Sequence, residues 1–134
     1  MTLYSITPIL ICRDVQRTAQ FYADFFGFKM TATFEPEGRL VWAELTNGEV
    51  RIMLGLAGQT HPILPNDHGT LSTQFYFEID ELEELHDRFV RASHRPSAIA
   101  TRFYRKTEFE VSDPDGHWLV VSRESLPDET ATPE

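Results

Sequence analysis

Cysteine is nearly absent. Cys12 stands alone in 134 residues, so no intrachain disulfide can form, and a reducing cytoplasmic setting suits the chain. Positive charge is also scarce. Twelve Lys and Arg against 21 Asp and Glu give a net charge of −9, which excludes an overall basic footprint for nucleic acid or an anionic membrane. No apolar run approaches the roughly 20 residues that cross a bilayer, and the N-terminus lacks a basic region followed by a long apolar core. Neither a nucleophile elbow nor a Cys-His pairing is legible, so covalent catalysis has no support. What remains is a chain with 41% hydrophobic and 12% aromatic residues, enough for a globular interior. One basic cluster stands out, Arg102-Phe103-Tyr104-Arg105-Lys106.

In chain order, Ile6 to Cys12 predicts a first strand, ended by Arg13-Asp14. Asp14 can cap a helix in which Val15, Ala19, Tyr22 and Phe26 form one apolar stripe, with Gly27 as its left-handed C-cap. Phe28 to Phe34 alternates weakly, with Met30, Ala32 and Phe34 on one face, and Glu35-Pro36-Glu37-Gly38 is a turn. Val41 to Leu54 reads as a hairpin turning at Asn47-Gly48. Gly55 to Thr70 is rich in Gly, Pro, Asn and Asp and predicts a connector. Then the pattern restarts. Gln74 to Ile79 is a strand, and Asp80-Glu81-Leu82-Glu83 reads as a capping box. Leu82, Leu85, Phe89 and Val90 make a second stripe, and Pro96 stops that helix region. Ile99 to Phe103 predicts a strand, and Thr107 to Ser122 a hairpin through Asp113-Pro114-Asp115-Gly116. Ser125 to Glu134 is acidic, contains two prolines and predicts a disordered tail.

The order is strand, helix and three strands, twice. The turn glycines Gly48 and Gly116 lie 68 residues apart, and the first strands align at an offset of 67. The expected fold is α+β: two tandem β-α-β-β-β modules, residues 1–55 and 71–124, joined by a connector over 56–70 and followed by the tail over 125–134.

With Pro8 to Val15, Phe21-Tyr22, Phe26-Gly27-Phe28, Phe77 to Leu82, and Glu108-Phe109 through Asp113-Pro114-Asp115-Gly116-His117, the chain resembles the vicinal oxygen chelate superfamily of glyoxalase, bleomycin-resistance and extradiol dioxygenase proteins. The resemblance implies a curved mixed sheet whose concave cup holds the ligand. Metal-dependent members carry His, Glu, His or Gln, and Glu at four strand positions, which fall here on Thr7, Ile52, Gln74 and Val120. Only Gln74 offers an ordinary ligand oxygen, so no catalytic residue, metal or other cofactor is expected. The five histidines read as solvated surface residues.

If those four positions face inward, so do Ile9, Leu54 and Tyr76. Ligand contacts are therefore expected from Thr7, Ile9, Trp42, Ile52, Leu54, Gln74, Tyr76, Tyr104, Arg105 and Val120. Related sequences often have an aromatic-Gly pair before Glu-Phe, where this chain has Tyr104-Arg105. The resemblance to the non-metal bleomycin-resistance branch implies a homodimer that binds and sequesters an antibiotic or similar small aromatic molecule. The lone cysteine, the acidic balance and the lack of long apolar runs lead to the expectation of a cytoplasmic protein with no nucleic-acid or membrane partner. A glyoxalase-type lyase or isomerase, or a dioxygenase, with a metal site relocated among His61, His68, Gln74 and Glu44 is the alternative. A third reading is a scaffold whose cup its own aromatics fill.

Overall fold

The computed structural model describes residues 1–58 and 73–133, so His61, His68 and most of the expected connector lie outside the described residues. The chain divides into two compact units, Met1–Pro65 and Asn66–Glu134. The first contains β1 (Ile9–Cys12), α1 (Val15–Phe26), β2 (Lys29–Phe34), β3 (Trp42–Asn47) and β4 (Val50–Leu56). The second contains β5 (Gln74–Glu78), α2 (Leu82–Arg91), β6 (Ala100–Thr101), β7 (Lys106–Ser112) and β8 (Trp118–Glu124). Each builds a four-stranded mixed sheet, ordered β1-β4-β3-β2 and β5-β8-β7-β6. The first strand runs parallel to the last in both, and the remaining pairs are antiparallel. The expected α+β architecture of two β-α-β-β-β units is what the structure shows.

α1 starts and stops as its sequence dictates. The Asp14 side chain accepts from the Arg17 N–H at 3.1 Å, and Gly27 ends the helix at φ +68°. Val15, Ala19, Tyr22 and Phe26 are buried against the sheet side formed by Leu10, Cys12, Leu45, Ile52 and Leu54. Each large side chain so buried is worth about 1.5–3 kcal/mol. Gly27→Ala is expected to destabilise the first unit by about 1–2 kcal/mol, because an L-residue is strained in the left-handed region. The added Cβ would also lie 3.4 Å from Asn47 Nδ2, which donates to the Phe26 carbonyl. Thermal unfolding of the variant measures that cost.

α2 corrects the capping box: Glu81 is its N-cap, and no side chain bonds the cap. Glu83 is committed elsewhere, accepting from the Arg123 guanidinium at 2.6 Å. Leu82, Leu85 and Phe89 are buried, and Phe89 meets the Phe109 ring edge-on at 6.0 Å. Val90, expected on the same stripe, is half exposed. The predicted Ile99–Phe103 strand shrinks to Ala100–Thr101, because the chain turns where Arg105 N–H donates to the Arg102 carbonyl. A register shift between Met30 and Ala32 breaks the alternation expected in β2: Met30 pairs with Leu45, whereas Ala32 and Phe34 pair with Glu44 and Trp42.

Of the histidines read as solvated, His94 is exposed, whereas His86 and His117 are half-buried in the second unit. His86 Nε2 donates to the Ser97 carbonyl at 2.8 Å and its ring meets Phe109 at 5.0 Å. His94 meets Phe89 at 5.7 Å, and His117 Nδ1 donates to Asp113 at 2.7 Å.

The acidic segment after β8 is not a free tail. Thr132 N–H donates to the Thr101 carbonyl at 2.7 Å, and Arg123 holds the Glu129 carboxylate through both terminal nitrogens, at 2.8 and 3.0 Å. Composition misleads here because one of its acids, Glu129, has a specific partner. The Arg123 guanidinium and then the Leu126 N–H pull the Glu129 carboxyl down to about 2 from an ordinary 4.5. A depressed carboxylate stabilises the bound form above its ordinary value and loses that contribution as pH falls through the lower one. The segment is therefore expected to detach between about pH 4.5 and 2, followed by loss of amide protection at Thr132.

Candidate functional site

Strand pairing decides which side chains share a face, since cross-strand partners point the same way. In the second unit, Tyr76 pairs with Val120 and Val120 with Glu110, while Ser122 links Glu78 and Glu108. The opposite parity, Phe109, Val111, Leu119 and Val121, is buried on the side that carries Leu82, Leu85 and Phe89 of α2. The face away from α2 thus carries polar groups on three adjacent strands.

At its centre is Glu108, only 3% exposed. Tyr76 Oη donates to Glu108 Oε2 at 2.5 Å, Tyr104 Oη donates to Oε1 at 2.5 Å, and Arg102 Nε donates to Oε1 at 3.1 Å. A buried carboxylate needs such donors, and here three meet on one side chain. The phenols are held protonated in return. Burial first, and Glu108 second, push the Tyr76 and Tyr104 hydroxyls above their ordinary value. The Glu108 contact likewise raises Arg102.

Above this knot lies a cleft of about 360 Å³. Strands β5 and β8 give it Gln74, Tyr76 and Val120, strand β7 gives Glu108 and Glu110, and the β6–β7 loop gives Arg102, Phe103 and Tyr104. Phe103 is 83% exposed and stands edge-on to Tyr104 at 5.1 Å. The arrangement offers aromatic walls, a rigid polar floor, one amide, one carboxylate at Glu110, and the Arg102 terminal nitrogens, which have no partner among the described residues. The lining is thus mixed, with as many polar as apolar or aromatic groups, and offers a ligand both ring faces and hydrogen-bonding partners.

Of the sequence-predicted contacts, Gln74, Tyr76, Tyr104 and Val120 meet in this cleft. In the first unit, Ile9 pairs with Met53 and Met53 with Glu44, and Trp42 is on the same parity. Thr7 precedes β1 and is part-exposed. Ile52 and Leu54, expected on the open face, are buried at 4% and 0% on the side that packs α1. The reason is the turn. The β3–β4 hairpin closes with Asn47 opposite Val50, whereas β7–β8 closes with Ser112 opposite Trp118, so the equivalent of Val120 is Met53. A shift of one residue moves a strand position to the other face. Arg105 is also displaced: its guanidinium donates to the Leu126 and Glu129 carbonyls at 2.7 and 2.6 Å. Its φ of +64° is a conformation that glycine adopts without strain and that a residue with a Cβ rarely takes.

Sequence reasoning missed Arg102, Glu108 and Glu110 as site residues. The signal for the acids was present, because in Thr107-Glu108-Phe109-Glu110-Val111 they alternate with apolar residues and must share the face opposite the core.

The metal positions of the superfamily do not fit an ion here. With the register corrected they are Thr7, Met53, Gln74 and Val120, which supply neither carboxylate nor imidazole. One other group among the described residues, Asp113, Asp115 and His117, brings ligand atoms within 4.8 Å of one another. Its geometry is explained by the turn, since Asp113 Oδ1 accepts from the N–H groups of Asp115 and His117 while Oδ2 accepts from the His117 ring.

Two β-α-β-β-β units, one bearing a polar cleft on its open sheet face, define a two-module α+β protein. The family model of the Glyoxalase/Bleomycin resistance protein/Dioxygenase superfamily matches residues 5–121, and the chain belongs to that superfamily. Solved structures agree on the fold. TioX from Micromonospora sp. ML1 is 19% identical with a TM-score of 0.71, covering 90% of this chain and 99% of that one. Lactoylglutathione lyase from Agrobacterium tumefaciens is 18% identical at 0.69, covering 96% and 100%. A bleomycin-binding protein complexed with bleomycin is 23% identical at 0.62, covering 92% and 100%. Among curated proteins, no sequence matches. No helix among the described residues is long and apolar enough to cross a membrane.

Proposed function

We propose that this protein binds a small aromatic molecule in the cleft of its second unit and sequesters it without a catalytic metal, as a cytoplasmic homodimer. The observation that carries the reading is the Glu108 knot. A carboxylate engaged on both oxygens by two phenols and a guanidinium locks the rings of Tyr76 and Tyr104 in place. Preorganised rings bind flat ligands at low entropic cost. The absence of carboxylate or imidazole at the four superfamily metal positions supports binding over metal-dependent chemistry. The structural likeness to a bleomycin-binding protein supports an antibiotic or similar compound as ligand, and the single cysteine agrees with a reducing cytosol.

Thermal-shift and calorimetric titrations with bleomycin and a panel of planar aromatic compounds test the proposal. A true ligand at 100 times its Kd should stabilise the folded state by about 2.7 kcal/mol. Light scattering on the purified chain tests the dimer. Stoichiometric divalent metal in the purified protein, with an activity lost on chelation, would overturn the non-metal reading.

A further inference from the structure

We infer that residues 125–133 form a strap that fixes the β6–β7 loop and thereby the aromatic wall of the cleft, with Arg105 and Glu129 as its positioning residues. The proposal deepens the ligand reading above, but its geometric content stands without any ligand.

The loop supplies Arg102, Phe103 and Tyr104 to the cleft, yet little of the sheet holds it. The strand before it, β6, is two residues long. Within the loop, Arg105 N–H donates to the Arg102 carbonyl at 3.1 Å, and Arg102 N–H to the Lys106 carbonyl at 2.8 Å. The bend requires φ +64° at Arg105, a conformation that is strained for a residue with a Cβ. Something else must over-determine it.

The strap does so at both ends of the loop. Before it, Thr101 exchanges two bonds with Thr132: Thr132 N–H to the Thr101 carbonyl at 2.7 Å, and Thr101 N–H to Thr132 Oγ1 at 2.9 Å. After it, Arg105 donates to the carbonyls of Leu126 and Glu129, while Ser125 N–H donates to the Arg105 carbonyl at 3.2 Å. The strap in turn is clamped to β8 and β7 through Glu129. That carboxylate accepts from Arg123, from the Leu126 N–H at 2.6 Å and from Thr107 Oγ1 at 3.1 Å. The same loop must place Arg102 Nε and Tyr104 Oη on Glu108, contacts that weaken steeply with misplacement. Strap, loop and cleft wall therefore form one mechanical chain.

The test is residue-resolved tyrosine NMR, with 13C at Cζ, on the full chain carrying Arg105→Ala, Glu129→Ala or both. Alanine keeps the Cβ at residue 105, so the backbone strain stays while the guanidinium goes. Tyr104 is expected to change its resonance in each variant, and its alkaline midpoint to fall toward the ordinary 10.0. Tyr22 in α1 should not move. The double variant should match the larger single one, since both cut the same chain, and Arg105→Lys should restore part of the signal. Bleomycin affinity, where present, should weaken about tenfold, the equivalent of one well-placed contact. An unmoved Tyr104 in both single variants, or additive shifts in the double, would overturn the strap. Failure of every aromatic compound to bind, with the tyrosine shifts as expected, would sink the ligand reading and leave the strap standing.

Discussion

Glu108→Ala is expected to destabilise the second unit by about 1.5–3 kcal/mol, the range for losing hydrogen bonds to a charged group whose partners can reach water. The side chain is 4% exposed, and the variant strips two phenols and a guanidinium of their common acceptor at once. Arg102 is 31% exposed and can turn to water, which softens its share of the loss. Tyr76 and Tyr104 are 48% and 45% exposed, so their freed hydroxyls also reach water, and the cost is chiefly that of the lost hydrogen bonds. Urea unfolding should show a lower midpoint at unchanged slope. Glu108→Gln keeps one carbonyl acceptor but presents an amide donor to groups that are themselves donors, so it should fall between the variant and the parent. The tyrosine titrations supply an independent sign. Both phenols are raised by burial first and by Glu108 second, so both should titrate at lower pH in either variant, yet remain above the ordinary value. Aromatic-ligand binding should be lost with the ring geometry, not with the charge alone.

The fold was legible because its signals are local and repeated. Asp14 and Gly27 bracket α1 by their own backbone preferences, and the Asn-Gly and Asp-Pro-Asp-Gly turns each set a hairpin. The site was half legible. Gln74, Tyr76 and Val120 follow from strand parity once one register is known, and the second-unit register was read correctly. Ile52 and Leu54 were misplaced because the two hairpins differ by one residue at the turn, a difference that composition does not record and that inverts a whole strand. Glu108 was overlooked for another reason. Its three donors come from β5 and from the β6–β7 loop, and only the folded sheet brings residues 76, 102 and 104 to one carboxylate. The acidic segment was read as free for the same cause: Arg123 and Arg105, which hold it, are not sequence neighbours of Glu129.

Val120→Glu puts back the carboxylate that metal-dependent relatives carry at this position, and it is expected to harm the protein without creating a metal site. Val120 is 3% exposed and lies opposite both Tyr76 and Glu110, one rung from the Ser122–Glu108 pair. A new carboxylate there loses its water and meets the charge of Glu110. The charge of Arg102, although its terminal nitrogens have no partner among the described residues, is already matched by Glu108. The cost should be about 3–5 kcal/mol at neutral pH, as for other buried charges without a partner. Burial and like charge both raise the pKa of the introduced group in the folded state. The penalty is therefore present above that raised value and shrinks as pH falls through it, so the variant should recover stability toward pH 5 while the parent changes little. Metal should not rescue it. Beside the new Glu the second unit offers the neutral amide of Gln74, and the first unit's equivalents are Thr7 and Met53, too few hard donors for a catalytic ion. Unfolding at pH 5 and pH 8, with and without one equivalent of Ni or Zn, decides the matter. Stoichiometric uptake with a raised melting temperature would mean that this part of the second unit retains a latent metal geometry, and would count against the non-metal reading.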